Sequence, residues 1–424
     1  MAVHTVQDLK QMQALPLSIK VRMTEQRIRD WVNEYGESGV YISFSGGKDS
    51  TVLLDIARKL YPGIKAMFVD VPTQYPELKE FAMQFDNVDI VKPKIGFPAV
   101  CKKYGFPLIS KEVSECVWGA RRYLTSILED ETILTDRQTD RQTDRRTDSI
   151  SRIIIGTREY ADRASTLNPT RGGTIQSIEE SEDLANLLNQ RMKERKGGQN
   201  QRLAIMLGMF TKDKANPIKV NIPSKDRSIF SLERYKFFLE APFEISNACC
   251  RVMKKEPARR YGKETGRVPI TAQMASESRL RLQKWLQNGC NAFDAKKPMS
   301  NPMSFWTEQD VLKYIKEYNL PICSVYGEVV VDQPEECEGQ ISIFDLGYMK
   351  GSDNRKLKTT GCDRTGCVCC GFGCHLDKNP NRFERLKETH PKLYQLMDVC
   401  ENNGITYKEA IDWINEHGNL NIRY

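Results

Sequence analysis

The sequence predicts an α/β protein: a parallel sheet with helices on both faces, followed by a helical, cysteine-rich C-terminal part. Three observations predict it. Short apolar runs at 40–42, 64–70 and 88–91 alternate with helix-patterned segments over short connections. The first run leads through Ser43-Phe44 into Ser45-Gly46-Gly47-Lys48-Asp49-Ser50, a glycine turn that opens a helix. Cysteines gather late, at Cys362, Cys367, Cys369, Cys370 and Cys374. The 424 residues suffice for a full core and two or three lobes.

Taken in order, residues 1–38 read as an N-terminal helical segment. The strand at 40–42, the run 43–50 and a helix over Thr51–Ala57 then make a phosphate cradle. Gly46 and Gly47 let the backbone approach an anion and tolerate positive φ. The free N–H groups of the first helical turn point at that anion, and the helix dipole favours its charge. Lys48 adds a point charge, and Ser43, Ser45 and Ser50 bring hydroxyls. The spacing differs from the Walker-type loop. The plainer alternative is a glycine turn that binds nothing. The second strand ends in Asp70, a helix over 76–85 has Pro76 in its first turn, and 88–91 is a third strand. Ligands of such sheets bind at the carboxyl ends of the strands, where Ser45 and Asp70 fall.

Residues 95–130 read as helical. From Thr135 to Ser149 the chain repeats Thr-Asp-Arg-Gln with a period of four and no apolar residue until Ile150. That pattern is a solvated low-complexity insertion, or a basic arm for nucleic acid. Lys196–Asn200 reads as a mobile loop. Helices follow at 229–239, 271–287, 308–318, 382–397 and 407–416. Thr307 with Asp310 and Thr406 with Glu409 give capping signals. The expected organisation is an N-terminal helical segment (1–38), a nucleotide-binding α/β domain (39–130 and 215–330), an insertion (131–214) and a cysteine-rich, helical C-terminal region (331–424).

Composition is that of an ordinary folded protein, with 40% hydrophobic and 28% charged residues. No uncharged apolar run approaches a membrane span, and the N-terminus lacks the pattern of a signal peptide. A cytoplasmic protein without membrane contact is expected. Net charge of +7 suits anionic substrates such as nucleotides. Thirteen cysteines in that setting point to metal or redox chemistry more than to disulfides.

Two cysteine groups stand out. Cys249-Cys250 is a tandem pair, and Cys367 with Cys370 forms a C-x-x-C whose spacing lets two thiolates reach one metal centre. Buried unligated thiols, structural zinc and an iron–sulfur cluster all remain open on spacing alone. Cys101, Cys116, Cys290, Cys323, Cys337 and Cys400 are scattered and read as core residues.

The Ser45–Ser50 run resembles the PP-loop of the ATP pyrophosphatase superfamily, whose fold is adenine nucleotide alpha hydrolase-like. The chain as a whole resembles the phosphoadenosine phosphosulfate (PAPS) and adenylyl-sulfate reductase family of that superfamily. Phe68-Val69-Asp70 with Tyr75-Pro76-Glu77, then Cys249 to Pro257, Glu277-Ser278-Arg279-Leu280-Arg281, Asn301-Pro302 through Trp306, and Arg364 to Cys370 carry the resemblance. It implies a 4Fe-4S cluster on Cys249, Cys250, Cys367 and Cys370, with zinc as the lesser alternative and Cys369 not a ligand. It implies nucleotide contacts from Ser43, Ser45, Gly46, Gly47, Lys48, Asp49, Ser50, Asp70, Glu277 and Ser278. Lys48, Asp49, Lys254, Lys255, Arg279 and Arg281 are the implied catalytic groups.

Two features separate the chain from the reductases. No Glu-Cys-Gly-(Ile/Leu)-His string carries the reductase thiol, and the loop is intact, as in ATP-using relatives that include the DndC-like, iron–sulfur-containing branch. The expected function is therefore a PP-loop enzyme that binds ATP and Mg²⁺, forms AMP and pyrophosphate, and supports sulfur transfer. A sulfur donor protein or thioredoxin-like reductant and a nucleic-acid acceptor are the implied partners. A true reductase is the alternative, and a non-catalytic nucleotide- or nucleic-acid-binding partner a third.

Overall fold

The computed structural model describes residues 4–135, 185–186, 188–190, 199–213, 217–223, 225–332, 355–378 and 380–424. The repeat beyond Thr135, most of the insertion, Lys196–Gly198 and Cys337 lie outside the described residues. The chain divides into two compact units, Met1–Lys94 with Val252–Val368 and Ile95–Arg251 with Cys369–Tyr424. Residues 95–130 fall in the second of these.

The first unit is built on a six-stranded sheet. Its strands are β1 (Val40–Phe44), β2 (Ala66–Val69), β3 (Val88–Val91), β4 (Val268–Ile270), β5 (Asn291–Ala292) and β6 (Met299–Ser300), in the spatial order β3-β2-β1-β4-β6-β5. Only β5 runs antiparallel to its neighbour. Ile42 pairs with Ala66 on one side and Ile270 on the other. Strand order reverses at β1 and β4, which makes their carboxyl ends the crevice where such sheets take ligands.

Alternation along β1 feeds two cores, as the two-residue period of a strand requires. Ile42 and Phe44 join Ala66, Phe68, Val52, Ile56, Trp31 and Trp306 in the larger one. Tyr41 and Met67 on the opposite face meet Tyr261 of the helix Glu256–Thr265. Helices thus cover both faces. Residues 1–38 supply the helices Val6–Gln13 and Leu17–Tyr35, and the latter packs on the larger core through Ile28, Trp31 and Val32.

The helix after the loop runs Lys48–Leu60, so it starts earlier than the apolar pattern alone suggests and takes Lys48, Asp49 and Ser50 into its first turn. The helix expected over 271–287 is shorter. Thr271 donates to the Ser300 carbonyl and Ala275 to that of Ser304, at 2.8 and 2.7 Å. Backbone donors engaged by β6 and the loop after it cannot close helical turns, so the helix runs only Arg279–Asn288, after a single turn at Ala275–Glu277. Both capping signals hold, since Thr307 and Thr406 cap the helices Glu308–Glu317 and Tyr407–Gly418 in reciprocal boxes.

In the second unit the segment 95–130 is not one helical run. It holds the helix Phe97–Tyr104, a stop at Gly105, the short strand Leu108–Ile109 and a helix from Lys111. Leu108–Ile109 pairs in parallel with Gly371–Phe372. The helix expected over 229–239 is the tighter turn Glu233–Leu239, and that over 382–397 breaks before Pro391 into Arg382–Thr389, Pro391–Tyr394 and Leu396–Val399. Tyr407, fully buried, donates to the Cys369 carbonyl at 3.0 Å.

Candidate functional site

The phosphate loop and the residues that contact it lie in the first unit. Gly46 has φ 71°, and a Cβ there would stand 3.0 Å from the Leu78 carbonyl, so the turn requires glycine. The serines knit the loop together. The Ser45 amide donates to Ser50 Oγ at 3.2 Å, the two hydroxyls lie 3.0 Å apart, and Ser50 Oγ donates to the Gly47 carbonyl at 2.9 Å. Ser43 is a strand residue, in register with Met67.

Lys48 is the centre of the site. Its ammonium donates to Glu308 Oε1 at 2.7 Å and to the Asp363 carbonyl at 2.5 Å, and its side chain is 5% exposed. Its amide, one of the first-turn donors that a phosphate would use, donates to the Tyr326 hydroxyl at 3.3 Å. Tyr326 in turn pairs with Thr365 Oγ1 at 2.7 Å. Burial pushes the Tyr326 phenol up to about 12, so it stays neutral.

Asp49 is half-buried, and its Oδ1 is sealed from solvent without a hydrogen-bond partner. Burial raises its pKa, opposed in part by Lys48, Arg364 and Arg281. A sealed carboxylate oxygen fits a cation or a donor brought by a ligand. Asp70, at the end of β2, pairs with Lys79 at 2.9 Å.

The carboxyl end of β4 contributes Glu277. Its Oε2 accepts from the Met274 amide at 2.9 Å, and its carboxylate pairs with Arg281 and, at 3.9 Å, with Arg364. Burial and the charge of Arg364 lower the Arg281 pKa, though a guanidinium stays charged in any accessible range. Ser278 caps the following helix, its hydroxyl accepting from the Arg281 amide at 3.3 Å. Glu277 thus orients two arginines, and Ser278 orients one of them. Arg279 is exposed. Lys254 and Lys255 sit on the π-turn before the helix that covers β2 and β3.

Of the residues expected from the sequence, Glu277 and Arg281 pair with each other; Glu308, Tyr326 and Asp363, which contact Lys48, and Arg364 and Thr365, which contact Glu277 and Tyr326, carried no expected role. Glu308 had a signal, because the Thr307–Asp310 box fixes a helix head there. Tyr326 had none.

The cysteine candidates divide between the units: Cys367 belongs to the first, Cys249, Cys250 and Cys370 to the second. Among the described residues, no three His, Cys, Asp or Glu side chains are arranged as a metal-holding group. Within the second unit Cys101 is buried and hydrogen-bonded to Cys400, which raises its pKa, and Cys249 and Cys369 are near enough to add to that effect. Cys116, Cys290 and Cys323 are buried too. Among the described residues no helix is long and apolar enough to cross a membrane.

An intact glycine–lysine loop at the switch point of a parallel sheet defines a nucleotide-binding α/β protein of the PP-loop kind. The chain belongs to the phosphoadenosine phosphosulfate reductase domain family, whose sequence profile it matches over residues 39–113 and 209–371. A comparison with curated proteins returned no match.

Proposed function

We propose that the chain binds ATP on the Ser45–Ser50 loop, cleaves it to AMP and pyrophosphate, and supports sulfur transfer to an acceptor, with nucleic acid among the candidates. The observation that supports it best is the loop itself, whose helix opens with Lys48 and Asp49, the latter near enough to Arg281 and Arg364 to feel their charge. In this reading the first-turn N–H groups and Lys48 bind the phosphates. Lys48 and Arg281 neutralise charge that develops on the leaving pyrophosphate, and their preorganisation is the source of acceleration. An acceptor oxygen attacks the α-phosphorus and pyrophosphate leaves. A sulfur nucleophile from a donor protein then displaces AMP from the activated atom. Asp49 is the residue suited to hold Mg²⁺, with Asp70 second, and the ion when bound supplies charge neutralisation between phosphate oxygens.

A 4Fe-4S cluster on Cys249, Cys250, Cys367 and Cys370, or zinc in its place, is the proposed metal assignment. The tandem pair and the C-x-x-C spacing support it.

The test is quantitation of AMP and pyrophosphate after incubation with ATP, Mg²⁺ and a panel of acceptors. No AMP with any acceptor would sink the proposal. The family match supports a second reading, reduction of adenylyl sulfate or its 3′-phosphate. Sulfite released from those nucleotides with thioredoxin would establish it.

A further inference from the structure

The groups that hold Lys48 are the chain's own. Glu308 takes its ammonium at 2.7 Å, the Asp363 carbonyl takes it at 2.5 Å, and Tyr326 takes its amide at 3.3 Å. The turn that supplies Asp363 also supplies Thr365, bonded to Tyr326 at 2.7 Å, and Cys362, whose thiol donates to the Tyr75 hydroxyl at 3.6 Å. A Cβ at Gly47 would stand 3.2 Å from the Tyr326 hydroxyl and 3.7 Å from Thr365 Oγ1, so the hydroxyl pair lies directly over the loop backbone. A phosphate on this loop needs the same two donors of Lys48, its ammonium and its amide. A bound phosphate and these contacts compete for them.

We propose that Glu308 and the turn 362–365 form a displaceable lock on the phosphate loop. An incoming polyphosphate takes Lys48 from Glu308 and from the Asp363 carbonyl, and the turn bearing Cys362 is released. The inference rests on the reading of the loop as a nucleotide site and adds its regulation: nucleotide occupancy controls access to the cysteine-bearing turn. Glu308 is suited to be displaced. Its side chain is 50% exposed, so its carboxylate is rehydrated when it lets go, whereas the lysine stays paired throughout. The base of the turn stays anchored, since the Gly361 and Cys362 amides donate to the Tyr326 and Val325 carbonyls, both at 2.9 Å, and Thr359 Oγ1 donates to the Cys362 carbonyl at 3.1 Å, while the exposed Arg364 keeps only its long pairing with Glu277, at 3.9 Å. Release therefore moves a hinged turn and leaves the sheet in place.

The probe is inorganic pyrophosphate on the full chain, with binding read by calorimetry and Cys362 access by alkylation rate and mass spectrometry. Saturating pyrophosphate is expected to speed Cys362 alkylation several-fold in the wild type. Lys48→Ala is expected to show the fast rate without any ligand and no further change with it. Glu308→Gln removes a competitor and is expected to bind pyrophosphate about three- to tenfold more tightly. That gain alone would also follow from deleting a negative charge, so Thr365→Val separates the two accounts. It is neutral and near-isosteric, and a lock predicts tighter binding there too. Unchanged or weaker binding by Thr365→Val, an alkylation rate that pyrophosphate leaves unchanged or slows, or no binding of pyrophosphate at all would each overturn the lock. The proposed catalysis is judged separately, by AMP formation, and a lock that responds to pyrophosphate in a protein forming no AMP would leave only that reading refuted.

Discussion

Lys20 and Asp310, far apart in sequence, form an ion pair of 2.7 Å with side chains 2% and 11% exposed. It ties the helix Leu17–Tyr35 to the helix whose first residue is Glu308. Asp310 also accepts from the Thr307 amide and hydroxyl, both at 2.7 Å, so one carboxylate fixes the helix head on which Glu308 stands. Removing one member leaves the other buried and charged. Asp310→Ala should therefore cost about 3 kcal/mol in urea unfolding, near the lower end for a broken buried pair. Lys20→Met with Asp310→Leu should recover much of that loss while the cap stays broken. A single-variant loss within about 0.5 kcal/mol would show the pair to be solvated in solution.

Lys48→Ala tests the loop chemistry. If Lys48 neutralises phosphate charge in a site that is 5% exposed at that side chain, its loss should lower AMP formation by about two to three orders of magnitude. Lys48→Arg should not restore it, because the cavity holds a compact ammonium between Glu308 and the Asp363 carbonyl. Circular dichroism and the unfolding midpoint would report whether the fold survives. An unchanged rate in a folded Lys48→Ala protein would remove Lys48 from the mechanism.

Asp49 gives a pH dependence whose sign follows from its burial. Its folded-state pKa is raised, chiefly by desolvation, so the folded protein holds that proton more tightly than the unfolded chain. Stability then falls as pH rises from the ordinary carboxylate value of 3.8 through the raised one, and the ionised group is a cost at neutral pH. Asp49→Asn should raise the melting temperature of the ligand-free protein at pH 7 by a few degrees. The gain should shrink as pH is lowered towards the ordinary value. A destabilised Asn variant at pH 7 would mean that the carboxylate has a partner in solution. The same variant should lose Mg²⁺-dependent turnover if Asp49 holds the ion.

How much of this was legible follows the range of the interactions. The loop, β1 to β3 and both capping boxes are local patterns, and each was readable from a few adjacent residues. Gly46 announced its own conformation. The helix expected over 271–287 failed because Thr271 and Ala275 spend their amides on the Ser300 and Ser304 carbonyls, a tertiary pairing that no window of sequence contains. Asp70 was placed correctly at a strand end, yet its pairing with Lys79 needed the helix Pro76–Ala82 to be positioned first. Tyr326 and Asp363 reach Lys48 from far along the chain, and neither residue type in isolation carries a signal.

Tyr407 offers a test in the second unit. Its hydroxyl donates to the Cys369 carbonyl, next to Cys370 of the C-x-x-C, and burial holds its pKa well above the ordinary tyrosine value. Tyr407→Phe keeps the ring and strands a buried carbonyl, which should cost about 1–2 kcal/mol. A loss near zero would mean that the carbonyl finds another donor.

The metal assignment makes the last prediction. Arg382 fixes the loop after Cys369 by donating to the Cys370 and Phe372 carbonyls, at 3.0 and 2.8 Å, and by pairing with Asp377 at 2.7 Å. Cys369 itself is 1% exposed, and its thiol donates to the Leu393 carbonyl at 3.7 Å, as a core residue's would. Cys370 is half-buried on the same loop. Protein purified without oxygen should accordingly be brown and carry iron and acid-labile sulfide in near-equal amounts. Cys370→Ser and Cys250→Ser should lose both, while Cys369→Ser should keep them and pay only in stability. Iron retained by Cys370→Ser but lost by Cys369→Ser would reverse the ligand assignment within the motif. A colourless protein with one equivalent of zinc would replace the cluster by a tetrahedral thiolate site.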